Sequence, residues 1–161
     1  MTRISFRGWF WIGYTVAFTV AAVTGCAWSQ TPFHPSNVRD GVITISGARG
    51  GDTTLHRWAI AHAVEQGYRI NIIGRCDSAC ALVLEHREAI RTGQIDIRRA
   101  TFGIHAATRM GLTDREMTHE IMALYPQAAL DAGRIPGPEA QTVRTFYTVP
   151  GRVVLAEMES E

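Results

Sequence analysis

Ser78 and His105 are the residues of this chain whose types and placement suit nucleophilic chemistry. Ser78 stands in a turn over residues 74–80, after an isoleucine-rich strand and before an apolar helix start. A serine in a tight strand-to-helix turn exposes its hydroxyl, and the amide of the next residue, Ala79, points into the same space at the positive end of the following helix. His105 ends a later strand, where an imidazole can take the serine proton. A glycine amide such as that of Gly51 supplies a second donor to an oxyanion. The set lacks an acid to orient the histidine.

Each of these residues also has a plainer reading. A lone serine in a turn is commonly a helix cap, and a lone histidine at a strand end is commonly a hydrogen-bonded structural residue. Gly50 and Gly51 suit a turn that needs positive φ. Cys76 and Cys80 bracket the serine, either as a disulfide formed in an oxidising compartment or as two buried thiols packing as small apolar groups. A redox motif fits less well, since such sites use two intervening residues. His34, His56, His62, His86 and His119 read as surface or partly buried. His56 and His62 lack the i,i+4 spacing of a helical metal pair, so no metal site and no cofactor is expected. Arg87, Arg91, Arg98 and Arg99 read as a solvated face, with contact to an anionic membrane surface as the alternative.

The elements that must position Ser78 and His105 follow from periodicity. Residues 42–45 form a strand and residues 46–52 a glycine-rich turn. Asp52 or Thr53 caps a helix carrying Leu55, Trp58, Ala59, Ala63 and Val64 at helical spacing, with Gly67 as its stop. Residues 68–73 form a second strand, 79–86 an apolar helix start, 100–104 a strand and 112–130 a helix. Residues 136–138 break the chain, 142–149 are β-rich and 153–156 form a short last piece. Alternating strands and helices imply an α/β fold with a largely parallel sheet, which gathers the Gly50-Gly51 turn, Ser78 and His105 at the carboxyl ends of its strands.

The amino-terminal segment reads as an address. Arg3 and Arg7 precede an uncharged apolar run over residues 9–23, the pattern of a secretory signal. Residues 23–26 resemble a lipobox, which makes Cys26 a candidate for lipidation. Ordinary signal cleavage and an uncleaved anchor are the alternatives. All three place the rest of the chain outside the cytoplasm, in the periplasm or cell envelope. The expected organisation is a signal or anchor over residues 1–26, a tether over 27–39 and a domain over 40–161. The chain has 161 residues, 46% apolar and 19% charged, with a net charge of +1. That balance fits one globular domain and excludes the electrostatic footprint of a nucleic-acid binder.

Together, Gly50-Gly51 with its amphipathic helix, the isoleucine-rich strand, Cys76-Asp77-Ser78-Ala79-Cys80 and Gly103-Ile104-His105 resemble the Clp-protease proteolytic subunit and crotonase superfamily. The closer resemblance is to the secreted periplasmic Clp-like branch, whose nucleophile serine sits in a Cys-x-Ser-Ala-Cys turn. The resemblance covers about residues 41–156. It implies a Clp/crotonase-like spiral of ββα units, with Ser78 as nucleophile, His105 as general base and the amides of Gly51 and Ala79 as oxyanion hole. The tail over residues 144–150 is similar to the segment that carries the family's catalytic aspartate, and Arg144 stands at that place. Asp114, Asp131 and Glu139 are the carboxylates that could substitute from another direction. Asp131 is preferred because it leads towards the last segment. The family's Ser-Pro-Gly-Gly turn is replaced by Gly47-Ala48-Arg49-Gly50-Gly51.

The resemblance implies a serine hydrolase acting on a peptide or acyl bond, with a peptide or protein substrate, no cofactor and a membrane contact through the amino-terminal segment. A homo-oligomer is also implied, since family members often form rings or trimers. The competing expectation is a catalytically weak or inactive member that binds peptides or partner proteins in the cell envelope.

Overall fold

The computed structural model describes residues 31–160. The expected signal or anchor, with Cys26, lies outside the described residues. The architecture is mixed α/β. Strands β1 (Val38–Arg39), β2 (Val42–Ile45), β3 (Arg69–Asp77), β4 (Ile95–Ile104) and β7 (Tyr147–Pro150) form one sheet in that spatial order. β5 (Thr108–Arg109) and β6 (Leu112–Thr113) form a separate hairpin. Helices α1 (Thr53–Glu65), α2 (Arg87–Arg91), α3 (Arg115–Met122), α4 (Gln127–Ala132) and α5 (Gly151–Ser160) complete the fold, with a 3-10 segment at Ser78–Glu85.

The expected parallel sheet is confined to its centre. β2 pairs with β3 and β3 with β4 in parallel, whereas β1 and β7 are antiparallel edges. At one edge the cause is local. Asp40 and Gly41, with φ of 50° and 74°, make the two-residue turn whose twist suits a hairpin, so β1 folds back on β2. Met110 and Gly111, with φ of 53° and 81°, do the same between β5 and β6.

The first helix is built as its sequence implies. The Asp52 carboxylate accepts from the Leu55 amide at 2.9 Å and satisfies one of the free donors of the first turn. Gly67, at φ 72°, ends the turn beyond the helix, where its amide donates to the Val64 carbonyl at 3.0 Å and that of Tyr68 to Ala63. Ala59, Ile60 and Ala63 face a core shared with Ile43, Ile45, Ile70, Ile72, Leu82, Leu84 and Phe102. Arg57, one turn before Ile60, binds both oxygens of Glu85 through Nε at 3.0 Å, with a further contact to Glu120 at 2.5 Å. One guanidinium thus ties α1 to the segment after Ser78 and to α3.

Four expectations change. Residues 31–39 are not a tether: Phe33 is fully buried, meets the His56 ring edge-on at 6.0 Å, and precedes a short 3-10 turn at Pro35–Asn37 that leads into β1. The ordered domain therefore begins by Thr31, which is also buried. The helix expected over 112–130 is two helices, because Pro126 has no amide to continue the first and its ring disfavours helical backbone before it. Residues 79–86 form a 3-10 segment rather than an α-helix, with Ala79 through Leu84 all buried. The last piece is longer than expected, since α5 runs to Ser160 and its first residue, Gly151, lies against the Ile97 carbonyl, where a Cβ would collide.

Candidate active site

β3 carries the chain directly into Ser78. The serine has φ 53°, the left-handed region that costs a residue with a Cβ roughly 1 kcal/mol or more. That turn points the chain sharply out of the strand and into the buried 3-10 segment. Cys76 and Cys80, both buried, are joined by a disulfide with Cα atoms 5.2 Å apart, which closes the chain around the serine.

The Gly47–Gly51 loop runs beside this turn. The Ala48 amide donates to the Arg75 carbonyl at 2.8 Å and the Asp77 amide to the Ala48 carbonyl at 2.9 Å, so the loop continues the parallel pairing past the end of β2. Gly50, at φ 83°, then touches the serine turn: a Cβ on it would stand 2.8 Å from both the Asp77 carbonyl and Ser78 Cβ. Only glycine permits that approach. Gly51, at φ 149°, lines the cleft and is backed by His56, since a Cβ on Gly51 would lie 3.1 Å from the imidazole Cε1. The resemblance implies Gly51 as an oxyanion donor, and Gly51 lines the cleft; the residue packed against Ser78 and the Ala79 amide is its neighbour Gly50.

His56 is buried, further inside than the surface or partly buried place expected of it. Its Nδ1–H donates to the Asp52 carbonyl at 2.9 Å, fixing the loop to the first turn of α1. Burial lowers its pKa, outweighing the opposing effects of the Asp52 carbonyl and charge, so the ring stays neutral. Its Nε2 has no hydrogen-bond partner.

His105 follows β4 and shares a cleft of about 720 Å³ with Ser78, Gly51, Thr53, Thr54 and Asp114. No hydrogen bond joins Ser78 to His105 among the described residues. His105 Nδ1 lies 2.8 Å from the Ala106 carbonyl. A carbonyl only accepts, so this contact places the proton on Nδ1 and leaves a lone pair on Nε2. The Phe146 ring stacks on the imidazole, with centroids 4.9 Å apart and planes inclined by 29°. The Arg75 guanidinium lies over the same phenyl ring at 4.9 Å and pairs with the Asp77 carboxylate at 2.9 Å.

Asp77 and Phe146 cover Gly103, the register partner of Asp77, where any Cβ would collide with the carboxylate and the phenyl ring. Tyr125 packs edge-on against Phe102 behind this face. Burial first, and then the Asp77 charge, pushes its phenol well above the ordinary range, so it stays protonated.

The candidate acids are elsewhere or occupied. Asp131 accepts from Gln127 Nε2 at 2.8 Å on the exposed side of α4 and does not line the cleft. Glu139 pairs with Arg115 and His119 on the surface, and these neighbours hold its carboxyl below the usual range. Asp114 does line the cleft, but it caps α3 through the Met117 amide at 3.1 Å and pairs with Arg109 at 2.9 Å. Arg144, at the place expected for an acid, donates its amide to Thr142 Oγ1 at 3.3 Å. The flank of His105 is held instead by the Ala106 carbonyl and Phe146.

The spacing of Ser78, His105, Gly50 and Gly51 was legible in the sequence. Asp77, Arg75, Gly103, Phe146 and His56 were not singled out as site residues. The Gly103-Ile104-His105 motif held a signal for one of them, since a glycine two residues before a strand-end histidine shares its face. Comparisons with protein-family models, curated proteins and solved structures find no match to this chain.

Proposed function

We propose that this chain is a serine hydrolase of the cell envelope, of Clp/crotonase type, that cleaves a peptide or acyl bond. The observation that carries the reading is Ser78 at positive φ, opening on the same cleft as a histidine whose Nδ1 is committed to a backbone carbonyl. Ser78 Oγ attacks the substrate carbonyl and its proton passes to His105 Nε2. The new oxyanion is held by backbone amides from the Gly50-Gly51 loop and from Ala79. The tetrahedral intermediate collapses as the histidine returns the proton to the leaving amine or alcohol, leaving an acyl group on Ser78. Water then attacks the acyl carbonyl, giving its proton to Nε2, which passes it to Ser78 Oγ as the acyl–oxygen bond breaks and the acid product leaves.

The Ala106 carbonyl does what a triad acid does for tautomer and orientation, but carries no full charge to stabilise the imidazolium. Turnover is therefore expected to be slow, since loss of the acid is worth up to about 10⁴-fold. That same absence favours the second reading, a catalytically weak protein that holds peptides or partner proteins in this cleft. Hydrolysis of an activated acyl ester by the full chain distinguishes them. The enzyme reading expects an acyl adduct on Ser78 and a hydrolysis rate above background, both absent in Ser78→Ala. An ester rate unchanged by Ser78→Ala leaves only the binding reading.

A further inference from the structure

Resting on that reading, we infer that Arg49 selects a substrate with a carboxylate close to the scissile bond, an acidic side chain of a peptide. Arg49 immediately precedes Gly50, the residue packed on the serine turn, and is itself a lining residue of the cleft that holds Ser78 and His105. Consecutive Cα atoms stand about 3.8 Å apart, so the guanidinium is carried within side-chain reach of the reacting carbonyl. Four charged residues line the cleft: Arg49, Arg109, Asp52 and Asp114. Three are already engaged. Arg109 pairs with Asp114 at 2.9 Å, Asp114 also caps α3, and Asp52 caps α1. Arg49 has no hydrogen-bond or ion-pair partner among the described residues. An unpaired guanidinium offers parallel N–H donors that match a carboxylate. Thr53 and Thr54 line the same wall and add hydroxyl donors.

The test uses the full chain in detergent and fluorophosphonate probes that react with Ser78, matched in structure except for one group. In one probe that group is a carboxylate on a side branch, in a second a carboxylate at the chain end, and in the third a neutral carboxamide. The carboxylate-to-carboxamide rate ratio is read for each variant, so a change in the serine itself cancels. The wild type is expected to prefer a carboxylate by about five- to tenfold, with the side-branch probe ahead of the chain-end probe. Arg49→Gln should bring the ratio to about one, Arg49→Glu should invert it and Arg49→Lys should keep most of it. The preference should also fade at about 1 M salt, where the screening length is about 3 Å. Chain-end carboxylate ahead of side-branch carboxylate would overturn the acidic side chain as the ligand. A wild-type ratio of one, with the carboxamide probe still labelling Ser78, overturns the selectivity and leaves the hydrolase standing. Absence of labelling by all three probes overturns the hydrolase reading, and the selectivity with it.

Discussion

Ser78 pays a conformational cost that a glycine would not. At φ 53° it is strained, and the strain is held by the disulfide and by Gly50 beneath it. Ser78→Gly is therefore expected to exceed Ser78→Ala in stability by about 1 kcal/mol in chemical denaturation, although neither retains the hydroxyl. Equal stabilities would mean that the turn is unstrained. Gly50→Ala places a methyl into the Asp77 carbonyl and Ser78 Cβ, and should cost about 2–4 kcal/mol by the same measurement. His56 gives a pH signature. Its folded pKa lies below the unfolded value of 6.5, so the unfolded chain binds the proton more readily. Its contribution is complete above pH 6.5 and is lost as pH falls through the folded pKa. Compared with His56→Gln, the wild type should lose stability more steeply as pH falls below 6.5. The glycine pair and the serine were readable from spacing alone. His56 was not, because its burial depends on Phe33, a residue that sequence placed in a tether.

At the scale of elements, the site stands where two chain segments are forced together. The Gly47–Gly51 loop hydrogen-bonds along the end of β3, and the disulfide closes the serine turn on the other side. Replacing both cysteines with alanine should cost about 2 kcal/mol by loop-closure entropy, since the bridged loop is short. Ester hydrolysis should fall by more than that stability loss explains, because Ser78 is then free to leave its left-handed backbone. An unchanged rate would make the bridge a stabiliser only. Periodicity revealed α1 and the core of β3 because caps and alternation are local. It missed the break at Pro126 and both tight hairpins, whose signals lie in single residues: the proline itself, Asp40-Gly41 and Met110-Gly111. It also missed the antiparallel pairing of β7, which is fixed by tertiary contacts with β4.

For the whole molecule, the ordered unit extends to Thr31 at least. Phe33 fills a fully buried place against His56, and Phe33→Ala should cost about 3–5 kcal/mol in denaturant unfolding. A cost near zero would restore the tether. Among the described residues no helix is long and apolar enough to cross a membrane. The α/β class was legible in the order of strands and helices. The cleft was legible only as far as Ser78 and His105, because what holds the histidine ring is a backbone carbonyl and a stacked phenyl ring, and neither carries a motif. The measurement that bears most directly on the account is peptide mapping of the full chain after fluorophosphonate treatment. A single adduct on Ser78, slowed at least about a thousandfold in His105→Ala, is the predicted result. A chain that stays unmodified under conditions that label a known serine hydrolase, or one labelled equally well without His105, would contradict it.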